Sequence, residues 1–354
     1  MTSLDDLATI RKLDPGGLLP ALKDTPAQYR EGWDAAQGLS LADSYQDIDR
    51  VVILGMGGSA IAGDLWRALL QRECAVPVFN VRQYDLPPFV DERTLVIASS
   101  FSGDTEEVLS AFGQALAIPA PKIAITTGGQ LLATARANGV PVFTFHYDQE
   151  PRTAIGWSLM PLLAIAELLR MMQGVDGDVE ETIDVLSKLV SELAEDVPAD
   201  QNPAKQMAQA LNEKLPVIYG AGPLIEVAKR WKTQLNESAK TWAFFEELPE
   251  AHHNAIIGYG HPDAAAETAV VFLESDTLVH PRVALRYRYT KDLLRKHGVS
   301  VLEGQASGRS ALAQMASLTL FGDYVSTYLA FLYGVDPTPT TVIDELKAWL
   351  GKQK

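Results

Sequence analysis

Cysteine is almost absent from this sequence, since Cys74 is the only one. A single cysteine excludes an internal disulfide and any multi-cysteine zinc or iron–sulfur site. No stretch reaches the roughly 18 uninterrupted apolar residues of a membrane span. Residues 1–17 also lack the basic and apolar regions of a secretory signal. We therefore expect a soluble, cytoplasmic protein that does not associate with membranes.

Basic residues are outnumbered by acidic ones, with 30 Lys and Arg against 45 Asp and Glu and a formal net charge of −15. A surface with this charge repels the phosphates of nucleic acids and anionic lipids. It still allows one small anion in a local pocket, because backbone N–H groups can hold a phosphate without help from net charge. The composition thus argues against nucleic-acid binding and leaves small phosphorylated ligands open.

Short apolar segments alternate with helical patterns in the first half of the chain: RVVILG, VPVFNV, TLVIASS, KIAITT and VPVFTFH. This alternation predicts βαβ units around a parallel sheet. The pattern of strand, glycine-rich turn and helix returns in PVIYGAGPLIEVAKRWKTQL from residue 216, which indicates a diverged duplication without proving it. We predict an α/β protein with two domains, each a mainly parallel sheet flanked by helices.

The predicted domain boundaries follow these patterns, because a chain of 354 residues has room for two medium-sized domains. We place a helical extension at residues 1–45 and the first α/β domain at 46–155. Residues 156–214 lack strand patterns and are predicted to be a helical connector. The second α/β domain, with a C-terminal helix, is expected at 215–354.

A glycine-rich turn, Gly55-Met56-Gly57-Gly58-Ser59, follows the first predicted strand. Glycines allow backbone N–H groups to approach an anion at the start of the next helix, so Gly57, Gly58 and Ser59 are candidate ligand-binding residues. The turn also fits the G-x-G-x-x-A pattern of dinucleotide binding. However, no Asp or Glu closes the next strand where a ribose would be held. A tight turn without any ligand remains the structural alternative.

Three hydroxyls cluster after a second predicted strand, on Ser100, Ser102 and Thr105. Asp104 and Glu107 have the spacing of a helix capping box, which is the structural alternative. Three hydroxyls exceed what a cap needs, and together with free helix N–H groups they suit a phosphate monoester. The loop lacks the lysine of a nucleoside-triphosphate loop. We therefore predict a binding site for a small phosphorylated molecule.

These two loops resemble the sugar isomerase (SIS) domain, in which a loop of serine and threonine holds a sugar phosphate. The second half is similar to the bifunctional phosphoglucose/phosphomannose isomerase family in two longer stretches. Residues 230–240, RWKTQLNESAK, resemble its R-W-K-x-Q-x-N-E-x-[AS]-K, and residues 249–258, PEAHHNAIIG, resemble its P-E-x-x-H-N-E-I-x-G. Gly322-Asp323-Tyr324 and Asp336-Pro337-Thr338-Pro339, with Lys347 beyond, complete the pattern. Two positions differ: Ser238 replaces a common Asn and Ala255 a frequent Glu.

The resemblance implies an isomerase without metal or cofactor that interconverts glucose 6-phosphate or mannose 6-phosphate with fructose 6-phosphate through an enediol. It implies that Glu237 moves the proton between C1 and C2. Arg152 would stabilise the enediolate, and His253 with Lys347 would open the sugar ring. It also implies a role in carbohydrate metabolism and a homodimer in which the histidine of one subunit completes the active site of the other.

Two other classes of protein stay open on the sequence alone. A non-catalytic, sugar-phosphate-binding SIS regulator would commonly carry a basic helix-turn-helix domain, and residues 1–45 are short and not basic. An NAD-dependent dehydrogenase would rest only on the turn at Gly55. A metal site at His252-His253 is disfavoured, because adjacent residues rarely both reach one ion and no H-E-x-x-H pattern is present.

Overall fold

Two compact units form the part of the chain that this computed structural model describes, residues 3–353. The N-half unit consists of residues 24–187 and 306–317. The C-half unit consists of residues 3–23, 188–305 and 318–353. The domain boundaries expected from the sequence stay predictions.

The N-half unit is built on a parallel sheet of five strands in the order β2-β1-β3-β4-β5. The strands are β1 (Arg50–Leu54), β2 (Val78–Val81), β3 (Thr94–Ser99), β4 (Lys122–Thr126) and β5 (Val142–Thr144). The central strand β3 is buried along its whole length, as expected for a parallel strand covered on both faces. Its helices are α3 (Thr25–Ala36), α4 (Gly57–Leu70), α5 (Glu106–Leu116), α6 (Gly129–Ala137) and α7 (Ile155–Leu168), with short 3₁₀ helices at Asp43–Asp47 and Pro151–Thr153.

The core of this unit shows why the sequence folds in this way. Along α5, Val108, Ala111, Phe112 and Ala115 recur at i, i+3, i+4 and i+7, so they share one face of the helix. That face packs in one apolar cluster with the strand residues of the sheet, among them Val96. The packing fixes where α5 begins, directly after the loop that carries the three hydroxyls.

The C-half unit contains a second parallel sheet, with four strands in the order β7-β6-β8-β9. The strands are β6 (Leu215–Ala221), β7 (Phe244–Leu248), β8 (Thr268–Glu274) and β9 (Ser300–Gln305). Its helices are α1 (Leu7–Leu13), α2 (Leu18–Lys23), α9 (Pro203–Leu211), α10 (Leu224–Glu237), α11 (Pro281–Lys296) and α13 (Thr341–Leu350), with 3₁₀ helices at Glu250–His253, Ala255–Ile257 and Asp263–Glu267. Two further helices, α8 (Val175–Leu193) and α12 (Ala311–Leu332), contribute residues to both units.

The prediction of two α/β domains with parallel sheets flanked by helices is confirmed. Both sheets place their first strand beside the second and third in chain order, so they share a topology as well as a class. In each sheet the second strand in chain order lies on one side of the first strand, and the third strand lies on its other side. Loops diverge at this point and leave a crevice at the carboxyl ends of the strands, where ligands of such sheets bind. No helix among residues 3–353 is long and apolar enough to cross a membrane.

Candidate functional site

The two candidate loops of the N-half unit begin side by side at the crevice of its sheet. Strands β1 and β3 pair in parallel with Leu54 opposite Ala98, so the glycine turn and the hydroxyl loop start at the same edge. Strand β2 lies on the far side of β1, and β4 lies on the far side of β3. Sheet topology thus brings together the two loops that the sequence singled out separately.

The hydroxyl loop, residues 100–105, is held together by hydrogen bonds that its own side chains make. The buried Ser100 Oγ lies 2.8 Å from Thr105 Oγ1 and accepts a hydrogen bond from the N–H of Gly103 at 3.1 Å. The exposed Ser102 Oγ accepts from the N–H of Asp104 at 3.2 Å. Ser100, Ser102 and Thr105 therefore lie on one tight turn in front of α5.

The capping-box alternative for this loop does not occur. Thr105 is the N-cap residue of α5, and its side chain makes no capping hydrogen bond. The carboxylate of Asp104 instead accepts from the N–H of Gln130 at 3.0 Å. The start of α5 is thus left without a side-chain cap, which is the arrangement that suits an anion at a helix N-terminus.

A second turn, between β4 and α6, packs against the hydroxyl loop and donates backbone hydrogen bonds to it. Leu131 donates its N–H to the carbonyl of Gly103 at 2.9 Å, and Thr127 donates to that of Phe101 at 3.0 Å. Gly103 has a φ of +75°, and a Cβ at this position would lie 1.9 Å from the carbonyl oxygen of Gly128. Only glycine allows this approach of two backbones.

The glycine turn lies against the segment that carries Arg152. Helix α4 begins at Gly57, again without a side-chain cap. A Cβ on Gly58 would lie 3.2 Å from the carbonyl oxygen of Pro151 and 3.7 Å from the Cα of Arg152. Arg152 is only 4% exposed, and its Nη1 donates to Glu150 Oε2 at 3.0 Å. Within the N-half unit, the structure therefore brings Gly58, between Gly57 and Ser59, close to the Arg152 segment.

Glu237, the predicted base, is the last residue of α10 and is half-buried. The Lys240 ammonium group donates to the carbonyl oxygen of Glu237 and to those of Pro337 and Pro339, the last at 2.6 Å. A cation at this place complements the negative end of the helix dipole. Lys240 thus ties the end of α10 to the Asp336–Pro339 segment. In the sequence, this role of Lys240 was indicated only by its place in the family motif at residues 230–240.

Arg230 and Asp323, which the quoted motifs also contain, form a buried ion pair. Nη2 of Arg230 lies 2.8 Å from Oδ2 of Asp323, and Nε lies 3.2 Å from Oδ1. Next to this pair, a Cβ on Gly322 would lie 2.4 Å from the indole of Trp231. These residues hold α10 against α12. Arg230, Gly322 and Asp323 thus match the family motifs at positions that serve packing.

The two adjacent histidines have different surroundings. Arg286 Nη1 donates to His252 Nδ1 at 3.2 Å, so Nε2 carries the proton and donates to Thr290 Oγ1 at 2.6 Å. Burial lowers the pKa of His252, and the charges of Arg286 and His253 lower it further. His253 is exposed, and its ring makes no hydrogen bond to any residue from 3 to 353. Of the two, only His253 has a ring that no hydrogen bond to residues 3–353 holds in place.

The predicted site residues are divided between the two units. Lys347 lies on α13 and is exposed, as is every residue of that helix. Across residues 3–353, no group of three or more His, Cys, Asp or Glu side chains has the arrangement of a metal site. The C-half unit holds Glu237, His253 and Lys347, and the N-half unit holds Gly57, Gly58, Ser59, Ser100, Ser102, Thr105 and Arg152.

Comparison with solved structures supports the fold. A glucose-6-phosphate isomerase like protein from Thermus thermophilus matches with a TM-score of 0.64 and 22% identity, covering 98% of this chain and 99% of that one. A hypothetical protein from the same organism matches with a TM-score of 0.75 and 16% identity, covering 98% and 94%. At these identities the similarity shows the fold alone.

Sequence comparison identifies the family. Residues 200–350 match the family model for the bacterial phospho-glucose isomerase C-terminal SIS domain. The bifunctional phosphoglucose/phosphomannose isomerase of Caldicellulosiruptor bescii is 42% identical over 338 residues, which is 95% of this chain and 100% of the relative. The enzyme of the same name from Aquifex aeolicus is 35% identical over 303 residues, 85% and 90% of the two chains. As its motifs predicted, the chain belongs to the bifunctional phosphoglucose/phosphomannose isomerase family.

Proposed function

We propose that the protein is an aldose–ketose isomerase that interconverts glucose 6-phosphate or mannose 6-phosphate with fructose 6-phosphate. The 42% identity to the Caldicellulosiruptor bescii enzyme, over that enzyme's whole length, carries this proposal. The hydroxyl loop at the crevice of the N-half sheet supports it, because the loop suits a phosphate monoester. The comparisons give no support to a non-catalytic regulator. The corresponding place in metabolism is glycolysis or gluconeogenesis, in the cytoplasm.

The phosphate of the substrate binds to Ser100, Ser102 and Thr105 in this proposal. Their hydroxyls donate to phosphate oxygens, together with the N–H groups at the start of α5, which have no side-chain cap. Gly57, Gly58 and Ser59 offer a second set of N–H groups at the start of α4. This arrangement explains how a chain with a net charge of −15 can select an anionic substrate.

Glu237 is the proposed base of the isomerisation. Its carboxylate takes the proton from C2 of the open-chain aldose, which forms an enediolate, and returns that proton to C1 to give the ketose. Arg152 stabilises the negative oxygen of the enediolate. Because Arg152 is almost completely buried, its charge is screened less by water than that of a surface arginine.

Ring opening is assigned to His253 and Lys347, which move protons at the ring oxygen and at O1. The exposed imidazole of His253 has no hydrogen-bonding partner within residues 3–353, which fits a residue that acts on another molecule. We therefore propose a homodimer in which His253 of one subunit acts in the active site of the other.

A coupled assay with each of the three sugar phosphates tests the activity, and Glu237→Gln tests the base. Glutamine keeps the shape but loses the basic oxygen, so isomerisation from both epimers should collapse together. Exchange of the C2 proton with solvent deuterium should vanish as well. The matched control is Glu92→Gln, on an exposed loop, which should leave both unchanged. Retained exchange in Glu237→Gln would show that another residue is the base.

Mixing two inactive variants tests the shared site. A heterodimer of Glu237→Gln with His253→Ala would contain one intact site, so activity should return as subunits exchange. No recovery despite proven exchange would contradict the shared arrangement while leaving the isomerase assignment in place.

A further inference from the structure

Helix α13 has an apolar face that stays largely exposed in the described chain. Five of its apolar side chains, which we call the α13 stripe, lie on one side of the helix: Val342, Ile343, Leu346, Trp349 and Leu350. Even the central Leu346 is 55% exposed, and Trp349 is 57% exposed. A surface helix normally buries such a stripe against a neighbour. The stripe therefore indicates a missing partner.

A second surface of the C-half unit contains an open cavity. Helix α11 presents Arg282, Leu285, Arg286 and Tyr289 at i, i+3, i+4 and i+7, on one exposed face. Together with His252 and Ile256 they line an open cavity of about 300 Å³, which we call the α11 groove. An apolar floor edged by two guanidinium groups suits an aromatic side chain next to a carboxylate.

The charges of the two surfaces also match. Glu345 lies one turn before Trp349, so its carboxylate borders the α13 stripe. In the α11 groove, Arg286 is bound to His252, whereas Arg282 makes no ion pair with any residue from 3 to 353. Arg282 thus offers a free cation at the edge of the groove.

We propose that α13 of one subunit docks into the α11 groove of a second copy of this chain, with Trp349 filling the cavity and Glu345 facing Arg282. In a two-fold dimer the same contact forms twice. This inference rests on the homodimer proposed above and names the surfaces that form it. It also gives a reason for the exposure of both surfaces in a single chain.

Complete burial of the α13 stripe against an equal area of the α11 groove would give the interface area of a stable dimer. With about 100 Å² for an aliphatic side chain and about 250 Å² for Trp, the exposed fractions give the α13 stripe roughly 350 Å² of apolar surface. Two symmetric contacts, each covering two facing surfaces, bury on the order of 1,400 Å². Stable interfaces bury about 1,200–2,000 Å².

Sedimentation velocity over a range of concentrations tests the proposal on the full-length protein. Removing a buried tryptophan anchor weakens a contact by about thirtyfold or more, so Trp349→Ala should raise the dimer Kd about a thousandfold through two contacts. The control is Trp242→Ala, which removes a more exposed tryptophan outside both surfaces and should leave the Kd unchanged. Both side chains are exposed in the single chain, so neither substitution should affect folding.

Charge reversal tests whether Glu345 faces Arg282 in the dimer. Arg282→Glu or Glu345→Arg alone should raise the dimer Kd about tenfold, and the double variant should restore it. A wild-type dimer that Trp349→Ala leaves intact, or that Trp242→Ala disrupts equally, would overturn the docking but not the dimer. Absence of rescue in the double variant would overturn the facing of Glu345 and Arg282.

The outcome is separable from that of the proposed activity, because the dimer Kd is measured without substrate. A protein that isomerises sugar phosphates but stays monomeric at all concentrations would refute the docking and leave the activity in place. An inactive protein whose dimer is weakened by Trp349→Ala would refute the activity and support the docking.

Discussion

Gly103→Ala is the sharpest test of the hydroxyl loop, because the structure gives two separate reasons for glycine at this position. Its φ of +75° disfavours any residue with a Cβ, and the new Cβ would lie 1.9 Å from the carbonyl oxygen of Gly128. The left-handed conformation costs about 1–2 kcal/mol. Overpacking costs typically about 1–3 kcal/mol more. We expect the free energy of unfolding to fall by about 2–5 kcal/mol.

Two other glycines of the same unit separate these effects. Gly139 has a φ of +67° but nothing within 4 Å of its added Cβ, so Gly139→Ala should cost only the conformational part, about 1–2 kcal/mol. Gly113 lies within α5, has open space around it and no positive φ. Gly113→Ala should stabilise the protein by about 0.5–1 kcal/mol, because alanine is the better helix former.

The functional readout is kcat/KM with fructose 6-phosphate, measured beside urea unfolding of each variant. Relief of the Gly103→Ala clash must move the loop, which breaks the 3.1 Å hydrogen bond from Gly103 to Ser100. Loss of even one hydrogen bond to a charged phosphate corresponds to roughly 10–150-fold in kcat/KM. We expect this loss for Gly103→Ala and none for Gly139→Ala or Gly113→Ala. If Gly103→Ala and Gly139→Ala lowered the free energy of unfolding equally, the predicted clash at Gly103 would be refuted. If Gly103→Ala left kcat/KM unchanged, the proposed phosphate site would be refuted.

Three shorter predictions address the remaining chemistry and packing. Ser102→Ala should raise KM for phosphorylated sugars roughly 10–150-fold, and an unchanged KM would remove this hydroxyl from the site. Isomerase activity should be the same with and without EDTA, since the sequence offers no ligand cluster for a metal; activity lost in EDTA and restored by zinc would contradict this. Asp323→Ala should lower the free energy of unfolding by about 3–5 kcal/mol, because it leaves the buried Arg230 charge without its carboxylate. Its control, Asp292→Ala on the surface, should stay within about 0.5 kcal/mol, and equal effects in urea unfolding would refute the role of the buried pair.

The sequence predicted those parts of the fold that depend on local pattern. Strand β3 was predicted from the apolar run TLVIASS, and the helix after it from the alternation of strand and helix patterns. The fold class follows from such segments, because parallel strands must alternate with helices. The hydroxyl loop was found for the same reason, since its side chains lie within six consecutive residues.

Contacts between distant residues were not predictable in this way. Gly58 packs on the segment of Arg152, and Arg230 pairs with Asp323 across 93 positions, so no local pattern reports either contact. The two histidines show the limit most clearly. They are adjacent in sequence, but only the positions of Arg286 and Thr290 on α11 reveal that the ring of His252 is hydrogen-bonded, whereas the ring of His253 makes no hydrogen bond within residues 3–353.

The two sheets share a topology but differ in the turn after their third strand. After β8, the hydroxyl oxygen of Ser275 accepts hydrogen bonds from the N–H groups of Thr277 and Leu278, at 3.2 and 2.9 Å. The next helix, α11, is capped by His280 Nδ1, which accepts from Arg282 N–H at 3.1 Å.

After β3, by contrast, three hydroxyls precede a helix that has no side-chain cap. Acidic residues flank both turns: Glu274 and Asp276 lie beside Ser275, and Asp104, Glu106 and Glu107 lie beside the hydroxyls, where the carboxylate of Asp104 accepts from the N–H of Gln130. In the C-half unit a phosphate would meet a helix whose start is already capped by His280, whereas in the N-half unit it would meet three hydroxyls and a helix start without a side-chain cap. The proposed phosphate site therefore lies in the N-half unit, whereas Glu237 and His253, the residues proposed to move protons, lie in the C-half unit.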